Sequence, residues 1–303
     1  MNNDSRNIKL LPQCFAKFKS QFLMWLLLIP TVFVLIYCYW TPVFRGMYMS
    51  FFHTKGYNIT DFCGLENYKN VLTDTMFLRT LWNTVQYVVW SLVMGAIPPI
   101  ILAIIMQEVV HGKRVIRFLS YLPSVTPGLA ATVVFMSIFS PAPGGLLNYF
   151  LGNFGIEPQT WIQDAKLTIP LIVLTMSWSG IPGTVLYYLA SLQSVNQDLY
   201  EAAMIDGASV WKRCLKITLP HLGPMALLLW VRQIIGVFQI MQQPLVMTDG
   251  GPNNASLSLN LTAYKMAFQY GQVDRALALG VVSFVFLLVF SILYFKMERK
   301  LNN

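Results

Sequence analysis

Gln193-Ser-Val-Asn-Gln-Asp-Leu-Tyr-Glu-Ala-Ala-Met-Ile-Asp-Gly-Ala-Ser-Val-Trp-Lys-Arg-Cys-Leu-Lys-Ile-Thr-Leu-Pro-His-Leu-Gly-Pro224 stands between two long apolar runs, and its reading decides the architecture. Asn196 or Asp198 can cap a helix start, with Glu201 three residues after Asp198. A short helix through Ile205 follows, and Ala202 and Ala203 on its exposed side leave room for another surface to approach. Gly207 can supply the left-handed residue that ends it. Ser209 can cap a second helix whose apolar residues are Val210, Leu215 and Ile217, and Pro220 and Pro224 are expected to stop that helix. The product is a helix–turn–helix elbow on one face of a membrane, with Lys212, Arg213 and Lys216 suited to an anionic lipid surface. Two readings of the elbow stay open on physical grounds: a docking knob for a cytoplasmic partner, or an interfacial helix that lies on lipid.

Outward from the elbow, the chain is built for lipid. Of its 303 residues 55% are hydrophobic and 11% charged, against about 25% charged in an ordinary soluble domain, and mean hydropathy is +0.54. A spanning helix needs about 20 mainly apolar residues. Six runs qualify: 22–44, 84–106, 118–139, 168–192, 225–243 and 276–295. They predict an all-α membrane protein with six transmembrane helices, an N-terminal segment 1–21, the loop 193–224 and a tail 296–303. The first run exceeds a signal-peptide core of about 7–15 residues and no small-residue cleavage site follows it, so it reads as an uncleaved anchor. With the N-terminus inside, 13 Lys and Arg fall in inside segments and 7 in outside segments. That bias predicts both termini in the cytoplasm. Pro98-Pro99 and Gly180-Ile-Pro182-Gly183 are expected to interrupt the second and fourth spans, freeing backbone groups that a water-lined cavity or neighbouring helices must satisfy.

Other classes find little support. A net charge of +8 is explained by basic cytoplasmic loops, so nucleic acid is not expected as a partner. Cys14, Cys38, Cys63 and Cys214 have no metal or CxxC spacing. His53, His111 and His221 lie in different loops, and no serine occupies a nucleophile elbow, so neither a metal site nor an enzyme is expected. No Gly-x-x-x-x-Gly-Lys-Ser/Thr loop is present. A proton-coupled secondary transporter, the runner-up, wants acidic residues inside its spans, and the six runs hold none. A scaffold protein is a third reading, with no need of the elbow.

Glu201-Ala-Ala-Met-Ile-Asp206-Gly207-Ala208, followed by Ile217-Thr-Leu-Pro220 and Pro224, resembles the EAA loop of ABC importer permeases. Cys214 and Asn196 depart from the family's usual large apolar residue and proline. Gly64-Leu-Glu-Asn-Tyr68, Asn83-Thr84, Leu245-Val-Met-Thr-Asp-Gly-Gly-Pro252, and Ala263-Tyr264 to Ala276 resemble the sugar branch, over about residues 22–300. The resemblance implies a type I importer permease of the bacterial cell membrane. Its partners would be a second homologous permease, an ABC ATPase dimer and an outside solute-binding protein. ATP and Mg would sit on the ATPase and no cofactor on this chain. It implies coupling through Glu201, Ala202, Ala203, Asp206, Gly207, Ala208 and Pro220. It also implies a sugar as cargo, with glycerol-3-phosphate or a related solute as the alternative.

Candidate path residues come from the spans. Arg232, Gly236, Gln239 and Gln243 are spaced 4, 3 and 4 apart, which predicts one helical face. A mid-span charge costs roughly 2.5–3.5 kcal/mol on insertion scales. Arg232 therefore lines a translocation path, snorkels to the inner interface from about 10 Å, or pairs with the partner permease. Ser177, Trp178 and Tyr187 offer hydroxyls and aromatic faces to a sugar ring, or are packing and interface-belt residues. The outer stretches Asp249–Asn254 and Thr54–Thr80 are candidates for the binding-protein contact.

Overall fold

The computed structural model describes residues 26–109 and 112–302. The N-terminal segment 1–21, the start of the first run at Phe22, Cys14 and His111 lie outside the described residues. Five helices are long and apolar enough to cross a membrane: α1 (Leu26–Met49), α3 (Thr75–Glu108), α7 (Thr168–Leu192), α9 (Val210–Phe238) and α12, whose apolar part is Val273–Arg299. A sixth span is possible as a bent pair, α4 (Lys113–Val125) and α5 (Gly128–Ile138), which meet at 99°. Shorter helices α2 (Glu66–Thr73), α6 (Leu146–Gly152), α8 (Gln197–Ile205), α10 (Gln242–Thr248) and α11 (Leu259–Phe268) join them. The strands among the described residues form one antiparallel hairpin, β1 (Phe52–Lys55) with β2 (Asn58–Phe62), in register Thr54 to Ile59.

The proline expectations need correction. Pro98-Pro99 does not interrupt α3, and Pro182 lies inside an unbroken α7. Pro220 and Pro224 do not stop the elbow's second helix, which continues as α9 from Val210 to Phe238. One local device recurs. A π-helical turn at Leu35–Trp40, Leu92–Ala96 and Cys214–Thr218 is followed each time by an α segment with proline at its first or second position. Proline is tolerated at a helix start because its missing N–H has no partner to serve there. The wide π turn resets the ladder, so the helix passes the proline without bending away. The real break falls at Thr126-Pro127, where Thr126 is extended at ψ 126°, the conformation a following proline enforces.

Helices extend beyond some of the apolar runs. α3 begins nine residues before Thr84, because Asp74 accepts the Met76 N–H at 2.8 Å and caps it there. Thr80 and Asn83 of this extension, and Thr84 and Tyr87 just after it, are buried, while Thr75 and Arg79 are exposed. α7 matches its expected limits, Thr168 to Leu192. It is the central helix, with 39% of its most apolar window buried against none for α1. α1 is a peripheral helix, exposed from Leu26 to Arg45 and buried at Met49.

Three apolar clusters set the bundle. Tyr87, Ile172 and Val237 join α3, α7 and α9 at one end. Ala103, Val185, Tyr188 and Leu222 join the same helices at the elbow end. Phe77, Leu259 and Leu279 fix α11 and α12 to α3. A cavity between α3, α7 and α9 separates the first two.

Candidate functional site

The elbow is assembled by local chemistry. Asn196, rather than Asp198, caps α8, its Oδ1 accepting the Asp198 N–H at 2.9 Å. Gly207 adopts φ +70°, and the Ala208 N–H reaches back to the Ala203 carbonyl at 2.8 Å. Ser209 Oγ accepts the Lys212 N–H at 3.4 Å and starts α9. Glu201 and Ala202 are exposed, and Ala203 is half-buried. Glu201 forms no hydrogen bond or ion pair within the described chain. Around it the elbow exposes Met204, Ile205, Val210 and Trp211, with Ile205 86% exposed.

Three ties hold the elbow to the bundle. Arg213 Nη2 donates to Glu108 Oε2 at 2.9 Å, joining α9 to the last residue of α3. The Tyr200 and Thr218 hydroxyls are bonded at 2.9 Å, joining α8 to the π turn of α9. His221 Nε2 lies 3.0 Å from the Ser191 carbonyl at the end of α7. None of these contacts is signalled by spacing, since each partner is remote in sequence.

The cavity has a volume of about 840 Å³. Met176, Ser177, Thr184 and Tyr187 of α7, Arg232, Gln233 and Gly236 of α9, and Gly95 in the π turn of α3 line it. The Arg232 guanidinium lies 5.3 Å from the Tyr187 ring centroid, within cation–π range. Ser177 Oγ is buried and has no hydrogen-bond partner. Gly95 permits the crowding opposite it: a Cβ there would stand 2.6 Å from Gln233 Nε2 and 3.2 Å from Ser177 Oγ.

The expected single face of Arg232, Gly236, Gln239 and Gln243 does not exist as a helix face. α9 ends at Phe238, and Gln243 belongs to α10. The chain turns through Gln239 to Met241 because the Asn260 amide and Ser258 hydroxyl bind the Gln239 and Ile240 carbonyls. Gln239 and Gln243 instead line a second cavity of about 350 Å³, which shares Met176 and Gly236 with the first. The helix that carries Arg232 starts at Val210 rather than Met225, and twenty-two residues at 1.5 Å put about 33 Å between Val210 and Arg232. Ser177 and Tyr187 line the larger cavity, whereas Trp178 is turned away to pack edge-on against Phe135, at 5.5 Å between centroids. Gly95, Thr184 and Gln233 were missed. Gln233, a polar residue beside Arg232 within a span, carried a legible signal.

The loop after α10 is folded into the bundle. Asn83 Nδ2 donates to the Asn254 and Leu257 carbonyls at 2.9 and 3.1 Å, and the Tyr87 hydroxyl to the Ser256 carbonyl at 2.9 Å. Lys265 Nζ, 10% exposed, reaches the Asp249 carbonyl at 2.7 Å and carboxylate at 2.8 Å. Ala255 to Ser258 are buried, leaving Asn253 and Asn254 exposed at the tip.

A helical bundle with such an elbow can be compared with known proteins. Residues 87–303 match the family described as binding-protein-dependent transport system inner membrane component. The chain belongs to this family. The permease is 32% identical over 259 residues, 85% of its length and 82% of the relative's, to the arabinooligosaccharides transport system permease protein AraP of Bacillus subtilis (strain 168). It is 30% identical over 285 residues, 93% and 96% of the two chains, to the trehalose/maltose transport system permease protein MalF of Thermococcus litoralis. Its fold matches a chain from the crystal structure of a bacterial ABC transporter that imports the acidic polysaccharide alginate. That match has a TM-score of 0.84 at 23% identity and covers 96% of the permease and 100% of that chain. The permease is thus a multi-pass transport subunit of the bacterial cell membrane, and the family is one of transporter components rather than enzymes.

Proposed function

We propose that this permease is one of two membrane subunits of an ATP-driven importer for a sugar or oligosaccharide. A binding protein delivers the sugar from outside, and an ATPase pair drives the elbow from the cytoplasm, where both termini also lie. The sugar class is supported by the relatives, whose names give arabinooligosaccharides and trehalose or maltose as their cargo. The observation that carries the mechanism is the continuity of α9, which starts in the elbow at Ser209 and ends in the wall of the cavity. A helix is stiff along its axis, so a displacement of the elbow is delivered to Arg232, Gln233 and Gly236 without a relay of side chains.

In this reading Glu201 accepts a charge-assisted hydrogen bond from the ATPase. Ala202 and Ala203 allow close approach, and Gly207 with Ala208 sets the turn. Asp206 and Pro220 complete the elbow, the latter at the α restart after the π turn. Closure of the ATPases on ATP moves α8 and α9 together, because Tyr200 and Thr218 bind them to each other, and opens the cavity to the outside. Hydrolysis returns it inward. Co-purification with an ATPase and a second permease tests the assembly. Ala203→Asp tests the elbow: transport should fall more than tenfold while ATP hydrolysis continues. Normal transport by that variant would remove the elbow from the mechanism.

A further inference from the structure

The larger cavity is electrically one-sided. Among the described residues Arg232 is the charged one lining either cavity, and no described Asp or Glu lines them. Among the described residues Arg232 has neither an ion pair nor a hydrogen bond, and its described partner is the Tyr187 ring beneath it. An aromatic face stabilises a cation by roughly 0.5–2 kcal/mol, but a ring supplies no lone-pair acceptor to the guanidinium. The five N–H donors project in the plane of the group, so they remain free to serve an acceptor placed beside it. Two further unused polar groups stand nearby. Ser177 Oγ, on a residue 4% exposed, lacks any partner. Gln233 Nε2 approaches it across Gly95, the two being at most about 6 Å apart by the 2.6 and 3.2 Å distances from a Gly95 Cβ.

Unpaired donors inside a membrane bundle are costly unless something binds them. We propose that the cavity takes an anionic carbohydrate, its carboxylate or phosphate held bidentately by Arg232 and its neighbouring hydroxyls by Ser177 and Gln233. The Tyr187 ring, half-exposed at the same wall, then faces the apolar side of the sugar. This inference rests on the importer reading and narrows its cargo. Guanidinium suits both oxyanions through paired N–H donors, which an ammonium does not present.

The test uses the complete membrane importer, with its partner permease and ATPases, in nanodiscs and without binding protein, so that selection upstream plays no part. Affinities are measured for trigalacturonate against its neutral methyl ester, and for glucose 1-phosphate against glucose. The charged member of at least one pair should bind tenfold tighter or more, and the pair with the larger ratio assigns the group as carboxylate or phosphate. Arg232→Gln should bring that ratio close to one, while Arg232→Lys, which keeps the charge, should retain part of it. Equal binding within both pairs, or a preference that survives Arg232→Gln, would overturn the proposal and leave the importer reading intact. So would loss of the partner permease from the Arg232→Gln complex, which would place that guanidinium in a subunit contact. A chain that never assembles with an ATPase would instead overturn the importer reading itself.

Discussion

Removing the tie between Glu108 and Arg213 should disconnect the elbow from α3. The pair is 2.9 Å apart, with side chains 21% and 13% exposed, and Arg213 Nε is buried without a partner. Breaking a fully buried pair by deleting one member costs about 3–5 kcal/mol, and a hydrogen bond to a charged group is worth about 1.5–3 kcal/mol. Water still reaches both groups here, so the lower range applies. At 1.4 kcal/mol per decade, 1.5–3 kcal/mol corresponds to roughly ten- to a hundredfold in whatever equilibrium the tie controls. Glu108→Gln and Arg213→Gln, alone and together, should be assayed in proteoliposomes for sugar moved per ATP hydrolysed. Each single variant should lose about tenfold or more in that ratio, and the double variant should be no worse than the poorer single. Losses that multiply in the double variant would show that the two side chains act separately. The claim that the elbow grips α3 through them would then be wrong.

Gly207 stands at φ +70° with open space around its missing Cβ, so its requirement is purely conformational. Gly207→Ala should lower transport by several-fold, at a cost of about 1–2 kcal/mol, while Gly207→Asn should be milder because asparagine tolerates that region; equal effects in transport assays would point to a steric role. Gly95→Ala adds a methyl 2.6 Å from Gln233 Nε2, which forces that amide into the cavity; the importer should assemble normally but carry sugar several-fold more slowly, as transport rates on purified complex would show. Lys265→Met removes the bonds to the Asp249 carbonyl and carboxylate, a loss of about 1.5–3 kcal/mol; amide exchange over residues 249–257 should accelerate about tenfold or more, and unchanged exchange would mean that Asn83 and Tyr87 suffice to hold the loop.

The elbow's first helix, its turn and the start of its second helix were legible almost to the residue, because their signals are local. A short polar side chain at Asn196 or Ser209 caps the nearest N–H groups, and a glycine at 207 ends a helix, whatever the rest of the molecule does. The ends of α7 were legible because they coincide with the limits of the apolar run, Thr168 to Leu192. The start of α3 was not, since hydropathy counts Thr80, Asn83 and Thr84 against a span when they in fact meet buried protein: Asn83 binds the Asn254 and Leu257 carbonyls, Thr84 accepts the Leu259 N–H, and Thr80 meets Thr262 of α11. Nor was the end of α9. Its interruption at Gln239 depends on side chains of Ser258 and Asn260, which arrive from α11 about twenty residues later.

The prolines make the same point in mechanical terms. A proline read alone predicts a stop, and a stop in α9 would have cut the elbow from the cavity. With the π turn at Cys214–Thr218 ahead of Pro220, the helix instead stays whole at the position where Tyr200 binds it. A π turn stores a wider, less regular ladder within an otherwise rigid rod, and such turns gather at functional sites. The one in α3 places Gly95 against Gln233 and Ser177, and the one in α9 meets α8 through Thr218. The two turns in α3 and α9 therefore lie at the two ends of the proposed movement, one at the cavity and one at the elbow. The part of α9 from Leu219 to Phe238, which leads from the elbow to the cavity, is one continuous α segment and so would move as a body. An importer needs that arrangement, because force applied at its cytoplasmic face must reach the cavity without being absorbed on the way.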